Sequence, residues 1–329
     1  MATAGALSSL RKDFDAAGFE LCGFRAGAWK PRTRPGQFEG VGEEALGWLA
    51  DVRRATGLPT FVEVGNAAHL ESALKSGVDG IWIGARTTTN PFDVQALADA
   101  LRGVDIPVMV KNPINPDSRL WIGAVERFVR TGVRSVGAIH RGFSYYERSK
   151  YRNAPKWQVA VDVMQAMPEI PMFCDPSHMS GCRDYIVEVS QMALDLGFAG
   201  LFVESHIDPD HALSDASQQL TPSDLLSAVR SLKIRKTDAA GDFEASVAGL
   251  RAEIDAVDDS LLDILERRME IVSEIGRLKQ AGNIALLQPA RWDEVLRRAG
   301  EGAAARGLDE RFVRELFKLM HQASIEKQG

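Results

Sequence analysis

Cysteine is scarce. The 329 residues hold three, Cys22, Cys174 and Cys182, an odd number with no CxxC pair, which argues against a disulfide framework and fits a reducing compartment. Long apolar runs are missing as well. The opening MATAGALSSLRKDFD is charged by Arg11, and no later window approaches a membrane span, so no bilayer segment is expected. A cation excess is also missing: the net charge of -6 excludes a dedicated nucleic-acid binder, because the basic residues are local clusters inside an acidic whole. The expected setting is the cytoplasm, with neither membrane nor nucleic acid as partner. What remains is an ordinary soluble composition, 45% hydrophobic and 26% charged, with no sign of disorder and a length that suggests two domains.

One of the basic clusters is Arg25 to Gly36, where Arg25, Lys30, Arg32 and Arg34 are punctuated by Gly and Pro directly after the apolar run Leu21 to Phe24. Cations at a strand tip, rather than along a helix face, suit small anions, since Arg offers a planar donor fork and Lys a point charge. A solvated basic loop is the plainer alternative.

Short apolar runs recur at Leu21 to Phe24, Thr60 to Val64, Gly80 to Ile83, Pro107 to Val110, Ser135 to Ile139, Pro171 to Cys174 and Gly200 to Val203. Each is too short for a helix and apolar on both parities, as in parallel strands covered on both faces. Between them lie helix candidates: Glu43 to Thr56, Ala67 to Ser76, Phe92 to Leu101, Gly123 to Thr131, Lys156 to Met167 and Asp184 to Leu196. The alternation predicts an α/β fold with parallel strands. Polar residues follow each run: Arg25 and Lys30, Glu63, Arg86, Lys111, His140 and Arg141, His178, Glu204. That placement is what a (β/α)8 barrel requires at the C-terminal ends of its strands. The count gives only seven strands, because the chain opens on a helix, about Gly5 to Ala17, with no strand ahead of it.

The pattern changes near Lys233. The expected organisation is a barrel over 1–235, a polar linker over 236–242 and an all-α domain over 243–329. From Val247 to Leu278 apolar residues follow steps of three and four, predicting one long helix that ends near Gly282. Two further helices follow, about Pro289 to Arg306 and Asp309 to Lys327, the second expected to turn Phe312, Leu316, Leu319 and Met320 inward. Arg268 interrupts the seam, and a cation there needs an anion. Lys279 is three turns on, on the same face, whereas Arg251 lies about 100° away around the axis, so one helix cannot aim all three at one point. Taken alone, the helix reads first as a dimerising coiled coil with stray charges.

The motifs of residues 1 to about 232 resemble those of 3-deoxy-D-arabino-heptulosonate 7-phosphate (DAHP) synthases. They are KPRT (Lys30 to Thr33), IGAR (Ile83 to Arg86), Val110-Lys111, HRGFS (His140 to Ser144), CDPSH (Cys174 to His178), VESH (Val203 to His206) and LSDASQQL (Leu213 to Leu220). The resemblance implies condensation of phosphoenolpyruvate with erythrose 4-phosphate, with a divalent metal. By it, Arg25, Lys30, Arg86, Lys111 and Arg141 would hold phosphoenolpyruvate, and Lys30, Arg32 and Thr33 the aldose phosphate. Glu63 would move a proton or position water. His178, Glu204 and Asp215 would bind Mn, Fe, Co or Zn. KPRT also speaks against the sister octulosonate 8-phosphate family. The family's fourth metal ligand, a cysteine in an AGPCS-like motif on the first strand, has no counterpart. Cys22 is a poor substitute, because a strand that turns Arg25 inward turns Cys22 away. Either the N-terminus has been lost, the preferred expectation, or the barrel cannot run the reaction. Two open sheet edges would then need cover.

Residues 243 to 329 resemble the all-helical chorismate mutases, which are intertwined dimers. That implies a homodimer in which Arg268, Arg291 and the other chain's Arg251 hold the carboxylates of chorismate, Lys279 and Gln328 donate to the ether oxygen, and Ser324 faces the same pocket. Gln288 is placed with the substrate-binding residues, although it and Trp292 stand where the family often has carboxylates. The whole then reads as a bifunctional enzyme of the shikimate pathway, with prephenate or chorismate feeding back on the synthase. The alternatives are a regulatory or scaffolding protein with an incomplete barrel on a working mutase, and helices that merely dimerise.

Overall fold

The computed structural model describes residues 2–16, 18–32, 35–144, 146, 149–235 and 241–328, with side chains from residue 5 in the first range and from residue 247 in the last. Thr33 lies outside the described residues, as does much of the expected linker. The chain divides into two compact units, Met1–Thr237 and Asp238–Gly329.

In the first unit, α1 (Ala2–Ala16) leads into β1 (Phe24–Ala26), α2 (Glu44–Thr56), β2 (Thr60–Val64), α3 (Ala67–Ser76) and β3 (Gly80–Ile83). The short α4 (Ala85–Thr88) and α5 (Pro91–Ala100) precede β4 (Val108–Lys111), α6 (Ser118–Arg130), β5 (Val136–His140) and α7 (Trp157–Ala166). β6 (Met172–Cys174), the short α8 (Pro176–Ser180), α9 (Ile186–Asp195), β7 (Gly200–Leu201) and α10 (Pro222–Ser231) complete it. The strands form one parallel sheet in sequential order, β1 to β7. Helix starts are fixed locally: the Asn66 side chain accepts from the His69 amide and Asp117 from that of Leu120, satisfying otherwise orphaned donors.

Alternation along the strands sorts two cores. Val62, Ile81, Ile83, Val108, Val110, Ala138, Met172 and Cys174 face the helices and join a large buried cluster. Trp82, Met109 and Ile139, with Phe61, Phe173 and Phe202, form a separate cluster on the other face. Two residues beyond each inner apolar side chain comes a polar one or glycine: Glu63, Gly84, Lys111, Arg141, Asp175 and Glu204. A two-residue step returns to the same face. An apolar floor therefore supports a charged layer at the C-terminal strand ends. The sheet curls enough for Arg25, after the first strand begins, to lie 4.0 Å from Glu204, just past the last.

β1 starts later than the sequence suggests. Leu21 is instead drawn into a small core with Leu10 and Phe14 of α1 and Ile186, Leu220 and Leu225. α1 packs against both α2 and α10, so the helical layer runs across the gap between β1 and β7 that the sheet leaves open. Among the described residues no strand fills that gap.

The second unit is all helical: α11 (Gly241–Ala281), α12 (Pro289–Ala304) and α13 (Glu310–Gln328). α13 lies against both others. Gly276 permits the approach, since a Cβ there would stand 3.1 Å from the Gln328 Cα. The buried core is small, Ala299, Ala303 and Val313 with Phe317 against them. One expectation is corrected here. Phe312 and Leu319 are 63% and 66% exposed, because the face α13 turns inward is the Val313, Phe317 and Ser324 stripe, and the other apolar stripe points away. From Leu250 on, the apolar seam of α11 is likewise bare within one chain, from Ile275 at 41% to Leu278 at 67% exposed.

Candidate functional site

Asp175 is the hub of the strand unit. It caps α8, accepting from the His178 amide at 3.1 Å, and its buried carboxylate also meets Lys111 Nζ at 2.9 Å and Arg25 at 3.5 Å. The His178 ring nitrogen Nδ1 stands 3.0 Å from it. A carboxylate can only accept, so Nδ1 carries a proton, and Nε2 faces Glu204, 3.8 Å away. Burial alone would raise the Asp175 pKa, but the charges of His178, Lys111 and Arg25 hold it well below the ordinary carboxylate range.

His178, Glu204 and Asp215 offer ligand atoms that all lie within 4.8 Å of one another. Asp215 sits at φ 53°, the left-handed region, which turns its carboxylate back to this cluster. An imidazole nitrogen fixed by a carboxylate, together with two carboxylates, fits a divalent transition ion. The cysteines do not join them: Cys22 is exposed and Cys174 faces the helices.

Around this cluster the cations converge. Lys30 donates to Ser214 Oγ at 2.6 Å and lies 4.0 Å from Asp215, and Arg32 lies 3.6 Å from Asp215. Burial lowers the Lys30 pKa against the pull of Glu204 and Asp215. Arg141 is pressed down to about 10, first by burial and then by neighbours that include Arg152 and Arg86, against the pull of Asp175 and Asp215. Cations now outnumber carboxylates in a desolvated space, which favours an anionic ligand. Arg25 Nη2 is shielded from solvent with no hydrogen-bond partner among the described residues, a donor poised for such a ligand. The Arg25 guanidinium also lies over Trp82 and Phe202, at 5.6 and 5.3 Å. Trp82 in turn donates to Glu63 at 3.1 Å. Gly84 makes room for that carboxylate, since a Cβ there would fall 2.0 Å from Glu63 Oε1.

Several participants escape the sequence reading. Asp175 was within reach, two residues after Phe173 on the inner face. Arg152, donating to Asp215 and Gln218 at 3.0 Å each, and Asn153, accepting from Arg141 at 2.9 Å and donating to the His178 carbonyl, arrive on a loop that no periodicity marks. Asn112 supports the same corner, its Oδ1 accepting from the Arg141 amide at 2.7 Å. His140 belongs elsewhere: it is fully buried on the helix side of β5, ringed by Trp121, Phe143, Trp157 and Phe198.

In the helical unit, Arg268 donates to Ser324 Oγ at 2.8 Å and to the Met320 carbonyl at 3.4 Å, and no carboxylate pairs with it among the described residues. Lys279 bonds the Leu286 carbonyl. Gln328 packs over Gly276 with its Oε1 shielded and unpartnered. The other expected residues are not gathered here within one chain. Arg251 is exposed on the same continuous helix, about 25 Å along the axis from Arg268. Arg291 is exposed and paired with Glu294, and Gln288 is exposed ahead of α12.

Residues 1–238 match the model of the DAHP synthetase I family, and residues 250–329 that of chorismate mutase type II. The phospho-2-dehydro-3-deoxyheptonate aldolase of Thermotoga maritima is 31% identical over 196 residues, 60% of this chain and 56% of that protein. The chain thus spans little more than half the length of that relative. A 2-dehydro-3-deoxyphosphooctonate aldolase of Magnetococcus marinus is 28% identical, over 61% of this chain and 71% of that protein. The 4-amino-4-deoxychorismate mutase of Streptomyces venezuelae is 41% identical over 71 residues, 22% of this chain and 69% of that protein. The crystal structure of the Thermotoga maritima DAHP synthase superposes with a TM-score of 0.58 at 25% identity, covering 69% of this chain and 63% of that one. With a curled parallel sheet, a charged layer at its strand tips and a helical C-terminal unit, the chain belongs to the DAHP synthetase I family and carries a chorismate mutase type II region.

Proposed function

We propose that the strand unit condenses phosphoenolpyruvate with erythrose 4-phosphate to DAHP and phosphate, and that the helical unit rearranges chorismate to prephenate. The observation that carries the first half is the convergence of Arg25, Lys30, Arg32, Lys111 and Arg141 on a three-donor cluster for a divalent ion. Arg25, Lys111, Arg141 and Arg86 are suited to the phosphate and carboxylate of phosphoenolpyruvate. Lys30 and Arg32 are suited to the aldose phosphate. His178, Glu204 and Asp215 would hold the ion, which when bound supplies Lewis acidity to the aldehyde. The charged layer fixes the enol carbon against the aldehyde carbon, a positioning effect. The new carbon–carbon bond forms there, water adds at the neighbouring carbon, and its bond to the phosphate oxygen breaks. Glu63, held by Trp82, is placed to orient that water or take its proton.

For the rearrangement, Arg268 with Ser324 would bind a carboxylate, and Lys279 and Gln328 would donate to the ether oxygen as charge grows on it. Arg251 cannot reach this point from its own helix. A second copy of this chain, laid on the bare α11 seam, would supply it, while Arg291 would come from the same chain as Arg268. Prephenate acting on the strand unit is the regulation we favour, and linkage makes such coupling reciprocal. With no helix among the described residues long and apolar enough to cross a membrane, the cytoplasm is the setting we favour.

Phosphate release from the two substrates with added Mn tests the first activity, and loss of chorismate tests the second. Lys111→Ala should abolish only the former, and unaltered phosphate release in that variant would overturn the assignment. The open gap between β1 and β7, and a metal set without cysteine among the described residues, favour a second reading. There the barrel binds phosphoenolpyruvate without turnover and serves as a scaffold. Saturable binding of phosphoenolpyruvate with no phosphate release would establish it.

A further inference from the structure

The proposed rearrangement leaves one group in the helical unit without a role. Along α13, His321, Ser324 and Gln328 follow steps of three and four and so form one row. Ser324 bonds Arg268 at 2.8 Å, and Gln328 packs over Gly276, so the row faces α11. His321 opens it. Its ring lies flat on the indole of Trp292 from α12, centroids 3.9 Å apart and planes 12° apart. Its Nε2 is shielded from solvent and has no hydrogen-bond partner among the described residues. A shielded, unpaired polar nitrogen is costly to keep, and is explained when a ligand completes it.

Burial, then the nearby charges of Arg268 and Lys279, lower the His321 pKa below its ordinary value. The ring is therefore neutral near physiological pH, with one nitrogen able to accept. The substrate assigned above has two carboxylates and an ether oxygen, all met by cations or by Gln328. Its remaining polar group is the substituent on ring carbon 4, a hydroxyl donor. Gln288 is exposed, and Trp292 is committed to the stack.

We propose that His321, held in orientation by Trp292, accepts a hydrogen bond from the substituent on ring carbon 4 and sets the preference of the site at that carbon. The inference rests on the mutase reading. A neutral acceptor among cations suits a hydroxyl better than an ammonium, so chorismate should outrun its 4-amino counterpart.

The test uses the full chain, His321→Leu and His321→Gln, with chorismate and with an analogue lacking the carbon-4 hydroxyl. His321→Leu should lower kcat/KM for chorismate about 10- to 100-fold, the range for one lost hydrogen bond in a desolvated site. It should leave the analogue unaffected. His321→Gln, which keeps an acceptor, should recover part of the loss. Equal losses on both compounds would mean that His321 only packs, and no loss on either would mean no contact; each overturns the proposal. Failure of the unaltered chain to convert chorismate would instead remove the mutase reading beneath it.

Discussion

The two units treat their cations in opposite ways. At the strand tips, four cations meet a carboxylate of their own chain: Lys111 and Arg25 on Asp175, Lys30 and Arg32 on Asp215. On the helices, Arg268 meets a hydroxyl, a carbonyl and a thioether but no carboxylate, and Arg251 makes no hydrogen bond or ion pair among the described residues. The difference follows from geometry. A curled parallel sheet carries positions far apart in sequence to one mouth, so attraction and repulsion can be balanced within a single chain. Three helices of this length offer a face rather than an enclosure, and the face here is apolar and bare. The strand site is held together by its charges, whereas in the helical unit Arg268 is left without a counter-charge among the described residues.

If that is right, removing a charge should have different costs in the two places. Asp175→Ala leaves Lys111 desolvated without a counter-charge and Arg25 with Glu204 alone, 4.0 Å away, and should destabilise the strand unit by about 3–5 kcal/mol. Urea unfolding checks this, and an unchanged midpoint would break the comparison at its first term. The same variant should bind the divalent ion less well, because His178 loses the group that fixes its tautomer; chorismate turnover should persist. Arg268→Ala should do the reverse. It removes a cation without an internal counter-ion, so stability should stay within about 0.5 kcal/mol, while chorismate turnover falls about 10²- to 10³-fold, as for loss of one preorganised donor. A large loss of stability in that variant would show that Arg268 is structural after all.

Where the sequence was legible, one rule did most of the reading. Short runs apolar on both parities predicted buried parallel strands, and the step of two from Phe61, Met109, Ile139 and Phe202 leads directly to Glu63, Lys111, Arg141 and Glu204. The same step from Phe173 leads to Asp175, and applied to Ala138 it sends His140 to the helix side. Arg152 and Asn153 could not be read this way, because a loop has no period and their positions depend on what they bond. In the helical unit the pattern located the elements but not their partners. Phe312 and Leu319 belong to a true apolar stripe, yet a stripe does not record whether its own chain or another covers it. Leu261→Glu on the α11 seam probes this point. On a solvated face it would change little, whereas at an interface of two copies it should weaken association at least about tenfold, a carboxylate in an apolar contact being costly. Sedimentation and the dilution dependence of chorismate turnover both read the outcome.

The smallest expected effect separates the units by pH. His140 is fully buried among four aromatic rings, with both ring nitrogens unpartnered among the described residues. Burial, and then the charge of Arg141 against the nearby Pro155 carbonyl, bring its pKa down to about 3. The folded state thus refuses a proton that the unfolded chain accepts near about pH 6.5. Above that value the group is neutral in both states and its contribution to stability is whole. As pH falls towards the folded pKa, stability is lost at up to about 1.4 kcal/mol per unit. Between about pH 6 and about pH 5 the strand unit should therefore lose about 1 kcal/mol through this residue. His140→Leu should remove that part of the slope, and the carboxylates, which titrate lower, should leave this window to the histidines. His321 in the helical unit is only half-buried and should contribute less. Parallel slopes for the parent and His140→Leu, followed by urea unfolding at each pH, would mean that the aromatic ring of side chains admits a proton, and that the strand unit is less tightly closed than its paired charges imply.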